Sequence, residues 1–185
     1  MEHRPGLPLA TLLAPGPLPI PRAAAIARQV AAGMAAAHRQ GVVHGDLKPA
    51  NVMVSDDDVA KIMDFGLARR AAVLTATSDT ISWNPSSGGI SGTPAYLSPE
   101  QAHGEPVSPA SDVFSLGLMI YEMLTGERAI RGRSIFEVLR QIDQLDAHRL
   151  AAQVPEAFRP ILVGSLVSDP HRRTLSMADI AAALA

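Results

Sequence analysis

The sequence predicts a mainly α domain with one small β-hairpin and one long loop. Three observations carry that prediction. Ile26, Val30 and Met34 recur at four-residue spacing among alanines, the stripe of an amphipathic helix. The stretch VFSLGLMIYEML, residues 113–124, is apolar on nearly every side of a helix, the pattern of a helix at the centre of a domain rather than on its surface. The short runs VMV (52–54) and AKIM (60–63) flank an acidic turn at Asp56 to Asp58, which reads as a hairpin.

In chain order, residues 1–21 are rich in Pro and Gly, with one helical turn expected at Leu9 to Leu13. A helix follows from Arg22 to Gln40, started by Pro21 and stopped by Gly41. The hairpin comes next. Residues 69–99 hold Ser, Thr, Gly and Pro without sustained periodicity, and a loop of that length inside a compact domain is usually functional. The central helix runs from Ser111 to Leu124, with Gly126 able to end it. Later helices are expected over Ser134 to Leu145, Glu156 to Leu166 and Ser176 to the end, the last opened by Ser176 and Asp179 in a capping-box spacing.

The bulk numbers set limits on function. A chain of 185 residues, 47% hydrophobic and 18% charged, is one globular domain able to bury roughly 70% of its unfolded surface. Aromatics are only 4%, so aliphatic residues must fill the core. A net charge of −2 gives no electrostatic footprint for nucleic acid or an anionic membrane. With no cysteine there is neither disulfide nor thiolate metal site, which suits a cytoplasmic location. No basic-then-apolar leader opens the chain, and the 113–124 stretch is too short to span a bilayer, so neither signal peptide nor membrane segment is expected.

Chemistry concentrates in GVVHGDLKPANVMVSDDDVAKIMDFGLA, residues 41–68. Phosphoryl transfer needs phosphate charge neutralised, an attacking hydroxyl aligned and its proton accepted. Asp46, read as an acid with no partner cation of its own, is the candidate base. Asn51 and Asp64 offer one neutral and one charged oxygen, the hard donors that Mg2+ prefers. Lys48 can meet the transferring phosphoryl group as a point charge.

At these residues the chain resembles the eukaryotic-type (Hanks-type) protein serine/threonine kinases in their bacterial style. HGDLKPAN (44–51) resembles the catalytic loop and DFG (64–66) the magnesium motif. GTPAYLSPE (92–100) is similar to the close of the activation segment, SDVFSLGLMIYEMLTGE (111–127) to the central helix of the large lobe, and DPHRRT (169–174) to a late Asp-Pro…Arg signature. These motifs cover essentially the whole chain in family order. The resemblance implies a protein-kinase-like C-terminal lobe with catalytic loop 44–51, activation segment 64–100 and central helix 111–124. It further implies Asp46 as base, with Lys48 and Thr93 beside it and Thr93 favouring Ser/Thr substrates. Asn51 and Asp64 would be the Mg2+ ligands, and Met1, Glu2, His3 and Met53 the hinge and floor of an ATP site. His44 and Phe65 would form a hydrophobic stack, Gly66 would give structural support beside them, Asp112 would anchor the catalytic-loop backbone, and Glu100 with Arg173 would be a buried ion pair.

The chain also departs from that family. No G-x-G-x-x-G loop is present, and Lys48 and Lys61 are the only lysines, so the strand lysine that holds the α/β-phosphates has no counterpart. MEH resembles the hinge, with Met1 at the gatekeeper position, and the domain is expected to be a truncated one, hinge plus large lobe. Poor nucleotide affinity and negligible turnover are expected of the isolated chain, with a separate small lobe or regulatory protein as partner. Gly45 replaces the Arg that many relatives pair with a loop phosphate, so phosphorylation at Thr75, Thr77, Ser78 or Thr80 is expected to couple weakly to the site.

Two other functions compete: a non-catalytic, pseudokinase-like interaction module, and a small-molecule phosphotransferase of the aminoglycoside or choline kinase kind, which also resembles His-Gly-Asp…Asn. The segment ending and SDVFSLG argue against the second. Plain readings suffice elsewhere: Asp56 to Asp58 as a solvated turn, Met119 and Met123 as core fillers, and Trp83 as an incidental loop residue.

Overall fold

The computed structural model describes residues 6–65, the backbone of 69–70, residues 94–132 and residues 134–185. Met1, Glu2, His3, Gly66 and Thr93 lie outside these residues, as do Trp83 and the Ser and Thr residues at 75–80.

The architecture is mainly α. After a two-residue strand β1 (Leu7–Pro8) come helices α1 (Leu9–Leu13) and α2 (Ile20–Arg39). Ala23, Ile26, Ala27, Val30, Ala31, Met34 and Ala35 form the buried stripe of α2, at helical three- and four-residue steps. Burial is worth about 1.5–3 kcal/mol for each large apolar side chain, so packing rather than alanine propensity holds this helix in place. It starts at Ile20, two residues before the expected Arg22, because Pro21 is tolerated in the first turn, where its missing N–H has no partner to lose.

Strand β2 (Val42–Val43) follows, then β3 (Val52–Val54) and β4 (Ala60–Ile62). The last two make the expected hairpin, with Val52 opposite Ile62 and Val54 opposite Ala60. Two additions were not expected. β1 pairs antiparallel with β3, giving a three-stranded sheet ordered β1-β3-β4, and β2 pairs with β5 (Arg69–Arg70). Two-residue strands carry no alternation to detect, so only tertiary contact defines them. The acidic turn is clamped onto α2: Arg22 Nε lies 2.8 Å from Asp58 Oδ1, and Gln29 both donates to the Asp58 carbonyl and accepts from Ala60 N–H.

A four-residue helix, α3 (Pro99–Ala102), leads to the central helix α4 (Pro109–Thr125), whose residues from Ser111 through Met123 are all buried. α4 starts two residues before the expected Ser111, because Ser108 and Ser111 form a capping box around Pro109. It ends at Gly126, in the left-handed conformation at φ 71° and packed on Pro17. α5 (Ile135–Asp143) is capped by Ser134, α6 (Ala147–Ala151) by Asp146, and α8 (Met177–Ala183) by the Ser176–Asp179 box. Between the last two lies α7 (Arg159–Ser165), preceded by a 3-10 turn at Glu156–Phe158 rather than continuing the expected helix back to Glu156. α2 packs on α8 and α4, and α4 on α7, so α4 is the axis of the domain. Gly117 makes the α4–α7 approach: a Cβ there would fall 2.3 Å from Ser165 Oγ. Among the described residues no helix is long and apolar enough to cross a membrane.

Candidate active site

The loop after β2 is built around its own backbone. Asp112, in the first turn of α4 and 1% exposed, accepts from His44 N–H through Oδ2 at 2.9 Å and from Gly45 N–H through Oδ1 at 2.8 Å. His38, at the end of α2, adds its Nε2 to Asp112 Oδ2 at 2.8 Å. A buried carboxylate is costly unless its lone pairs are taken, and this one is stabilised by donors from two segments.

His44 is fully buried and links three segments. Its Nδ1 accepts from Asp46 N–H at 3.1 Å, so the proton sits on Nε2, which donates to the Met63 carbonyl at 3.0 Å. Its ring meets Phe65 at a centroid distance of 5.0 Å and a tilt of 58°. The imidazole thus ties the residue before Asp64 to the peptide before Asp46.

At Asp46 the structure corrects one expectation. The carboxylate does have a partner cation: Lys48 Nζ lies 2.7 Å from Asp46 Oδ2. With only one residue between them, in an extended stretch where Lys48 has φ −158° and ψ 162°, both side chains reach the same side of the chain. Asn51 also reaches Asp46, donating from Nδ2 to its carbonyl at 2.9 Å and to Oδ2 at 3.1 Å. Asp46 remains partly solvent-exposed, so the pair is open to an incoming group.

Asn51 and Asp64 are brought together by the hairpin. Met63 N–H donates to the Asn51 carbonyl at 2.8 Å, extending the β3–β4 ladder by one step, and Asp64 follows directly. Asp64 is exposed and holds φ 59°, a left-handed conformation unusual for a residue with a side chain, though Asp tolerates it. Such outliers collect at functional sites. With Nδ2 committed to Asp46, the Asn51 amide oxygen has no protein donor among the described residues, and it and the Asp64 carboxylate are hard oxygen donors of the kind that could hold Mg2+. Met53 is half-buried on β3, between Leu7-Pro8 of β1 and Lys61 of β4.

On the far side, Glu100 and Arg173 form a buried two-pronged ion pair, Nη1 to Oε1 at 2.9 Å and Nη2 to Oε2 at 3.2 Å. Burial pushes the Glu100 carboxyl up, but Arg173 and the Ser111 hydroxyl outweigh it and hold the group below its ordinary value. Arg173 also donates to the carbonyls of Ala110, Val167 and Ser168 and lies over the Phe114 ring. Nearby, Tyr96 donates to Glu122 and is pushed well above its usual range by burial and by that carboxylate.

The loop, the hairpin end and the ion pair thus occur together, in one order along one chain. A family model described as protein kinase domain matches residues 1–183. The chain belongs to the protein kinase family. Relatives within that family include the serine/threonine-protein kinase PknL of Mycobacterium tuberculosis, 39% identical over 165 residues, covering 88% of this chain and 39% of the relative. The serine/threonine-protein kinase drp72 of Corynebacterium efficiens is 37% identical over 186 residues, covering 100% of this chain and 34% of the relative. PknB of Mycolicibacterium smegmatis, also named a serine/threonine-protein kinase, is 36% identical over 188 residues, covering 100% of this chain and 29% of the relative. The chain therefore spans only about a third of the length of these kinases.

Two contacts at this candidate site escaped the sequence reading. Nothing in the neighbours of His38 marks its bond to Asp112, 74 residues away. Gln101 was not singled out, although Ser98 and Gln101 carry the Ser-x-x-Gln spacing of a capping box.

Proposed function

We propose that this chain is the large catalytic lobe of a protein serine/threonine kinase, transferring the γ-phosphoryl group of ATP to a Ser or Thr hydroxyl of a protein substrate. The observation that carries the reading is the convergence of Lys48 and Asn51 on the Asp46 carboxylate, in a loop whose backbone Asp112 and His44 hold. Asp46 orients the substrate hydroxyl and accepts its proton as the new O–P bond forms. The bond from the γ-phosphorus to the β,γ-bridging oxygen breaks and ADP leaves. Lys48 swings from Asp46 toward the phosphoryl oxygens as their charge develops. Asn51 and Asp64 would hold Mg2+, which supplies charge neutralisation on the phosphates when bound.

By position in the family motifs, Thr93 would act with Asp46 and Lys48 as the selector for Ser/Thr, and Gly66 would support the magnesium motif. Met53 with Met1, Glu2 and His3 floors and edges the adenine site. The domain boundaries proposed are hinge and large lobe over 1–185, with catalytic loop 44–51, activation segment 64–100 and central helix 111–124. Protein substrates, and a small lobe or regulatory protein completing the cleft, are the partners of this reading, and cytoplasm its place.

The test is transfer of labelled phosphate from Mg·ATP to casein by the full-length protein, followed by phosphoamino-acid analysis. Asp46→Asn is expected to lower the rate by about 10²–10⁴-fold, the usual worth of a positioned acid–base group. Label on Ser or Thr that disappears with Asp46→Asn supports the reading. An unchanged rate in that variant refutes it.

A further inference from the structure

Gly45, the residue that precedes Asp46, is gripped from two sides. Gly45 N–H donates to Asp112 Oδ1 at 2.8 Å, while the Gly45 carbonyl accepts from Gln101 Nε2 at 2.6 Å. The N–H of the Gly45–Asp46 peptide donates to His44 Nδ1. Its plane is fixed at both its oxygen and its nitrogen, which sets the backbone torsion from which the Asp46 side chain projects.

Gln101 is no free surface amide. Its Oε1 accepts from Ser98 N–H at 3.1 Å and Ser98 Oγ at 3.0 Å, closing the capping box of α3. A backbone donor on one side and a backbone acceptor on the other leave the amide only one orientation. The contact also completes a ring. Gln101 adjoins Glu100, Glu100 accepts from Ser111 Oγ at 2.7 Å, Ser111 adjoins Asp112, and Asp112 holds Gly45. Residues 98–101 and the loop around Asp46 are therefore joined directly through one side-chain amide and indirectly through Ser111 and Asp112 at the start of α4. A pocket of about 20 Å³ lies between them, with Asp46 and Lys48 on one wall and Tyr96 and Gln101 on the other.

We infer that Gln101 is a positioning residue for phosphoryl transfer: its amide N–H locks the Gly45–Asp46 peptide and so transmits the seating of residues 94–102 to the Asp46 carboxylate. The inference rests on the kinase reading for its catalytic consequence, though not for the coupling itself. Gln101's two jobs separate chemically. Glu at this position still accepts from Ser98 and is a favoured capping-box residue, but it sets an acceptor against the Gly45 carbonyl.

The experiment compares full-length wild type, Gln101→Glu and Ser98→Ala by steady-state kinetics and by amide hydrogen exchange resolved over residues 44–48 and 98–103. Gln101→Glu is expected to keep protection in α3 but to exchange faster over 44–48. Its kcat should fall about 10- to 100-fold, the scale of a misplaced catalytic group, with KM for ATP nearly unchanged. Ser98→Ala is expected to loosen α3 while keeping the Gln101 contact, and so to leave 44–48 protection and kcat close to wild type. Wild-type exchange over 44–48 in Gln101→Glu overturns the inference, as does a kcat loss in Ser98→Ala equal to that in Gln101→Glu. An inactive wild type refutes the kinase reading alone, because exchange still decides the coupling.

Discussion

Arg173→Met removes a cation but keeps an apolar arm of similar length over Phe114. Arg173 is 4% exposed and Glu100 2%, so the carboxylate left behind stays buried, with only the Ser111 hydroxyl as a side-chain donor among the described residues. The carbonyls of Ala110, Val167 and Ser168 lose their guanidinium donor as well. Removing one partner of a buried pair typically costs about 3–5 kcal/mol, and the extra acceptors place this case toward the upper end. Urea denaturation followed by circular dichroism would register a midpoint drop of more than about 1 M.

The pH dependence distinguishes this cause from lost packing. In the wild type Glu100 is held below 4.5, so its contribution is present above that pH and lost as pH falls through the lowered folded value. In Arg173→Met burial is no longer outweighed, and the folded carboxyl rises above its unfolded value. Such a group costs most when ionised, so the variant's deficit should shrink as pH falls from about 7 toward about 5. Adding Glu100→Gln should recover part of the loss for the same reason. A deficit below about 1 kcal/mol, or one that stays flat with pH, would refute the buried-charge reasoning.

Two further outcomes follow from the packing and the phenol. Gly117→Ala puts a Cβ 2.3 Å from Ser165 Oγ and 3.0 Å from Leu166 Cδ2, so overpacking is expected to cost about 1–3 kcal/mol in the same urea assay. Tyr96 keeps its proton well beyond 10.0 in the folded state, so folding stability should fall as pH rises past 10.0; Tyr96→Phe should remove that part of the decline, measured by thermal melts across the alkaline range.

Much of this was legible from residues alone, for identifiable reasons. The hairpin runs and their turn were placed because alternation and acidic turn chemistry act locally, as were the Ser134 and Ser176 starts. α3 and α6 went unseen because four or five residues give little periodicity, and neither has the run of apolar residues that marked the equally short Leu9–Leu13. β1 and β5 are strands only through partners distant in the chain. At the site, Asp46, Asn51 and Asp64 stood out because their spacing is a motif. The Lys48–Asp46 pair was missed because neighbours two apart meet only in extended backbone, which the Pro49 that follows Lys48 favours. Gln101 and His38 act across 56 and 74 residues, a reach no local pattern encodes.

The central helix carries a warning for anyone who would stabilise this domain by redesign. α4 is the most apolar stretch of the chain, yet Ser111, Asp112, Ser115 and Glu122 sit buried within it, each facing a partner outside the helix. A procedure rewarding greasy interiors would replace them with Leu or Met and could raise the melting temperature. The product would be a sturdier scaffold with the loop around Asp46 untethered, and only an assay of the proposed phosphoryl transfer would expose the loss.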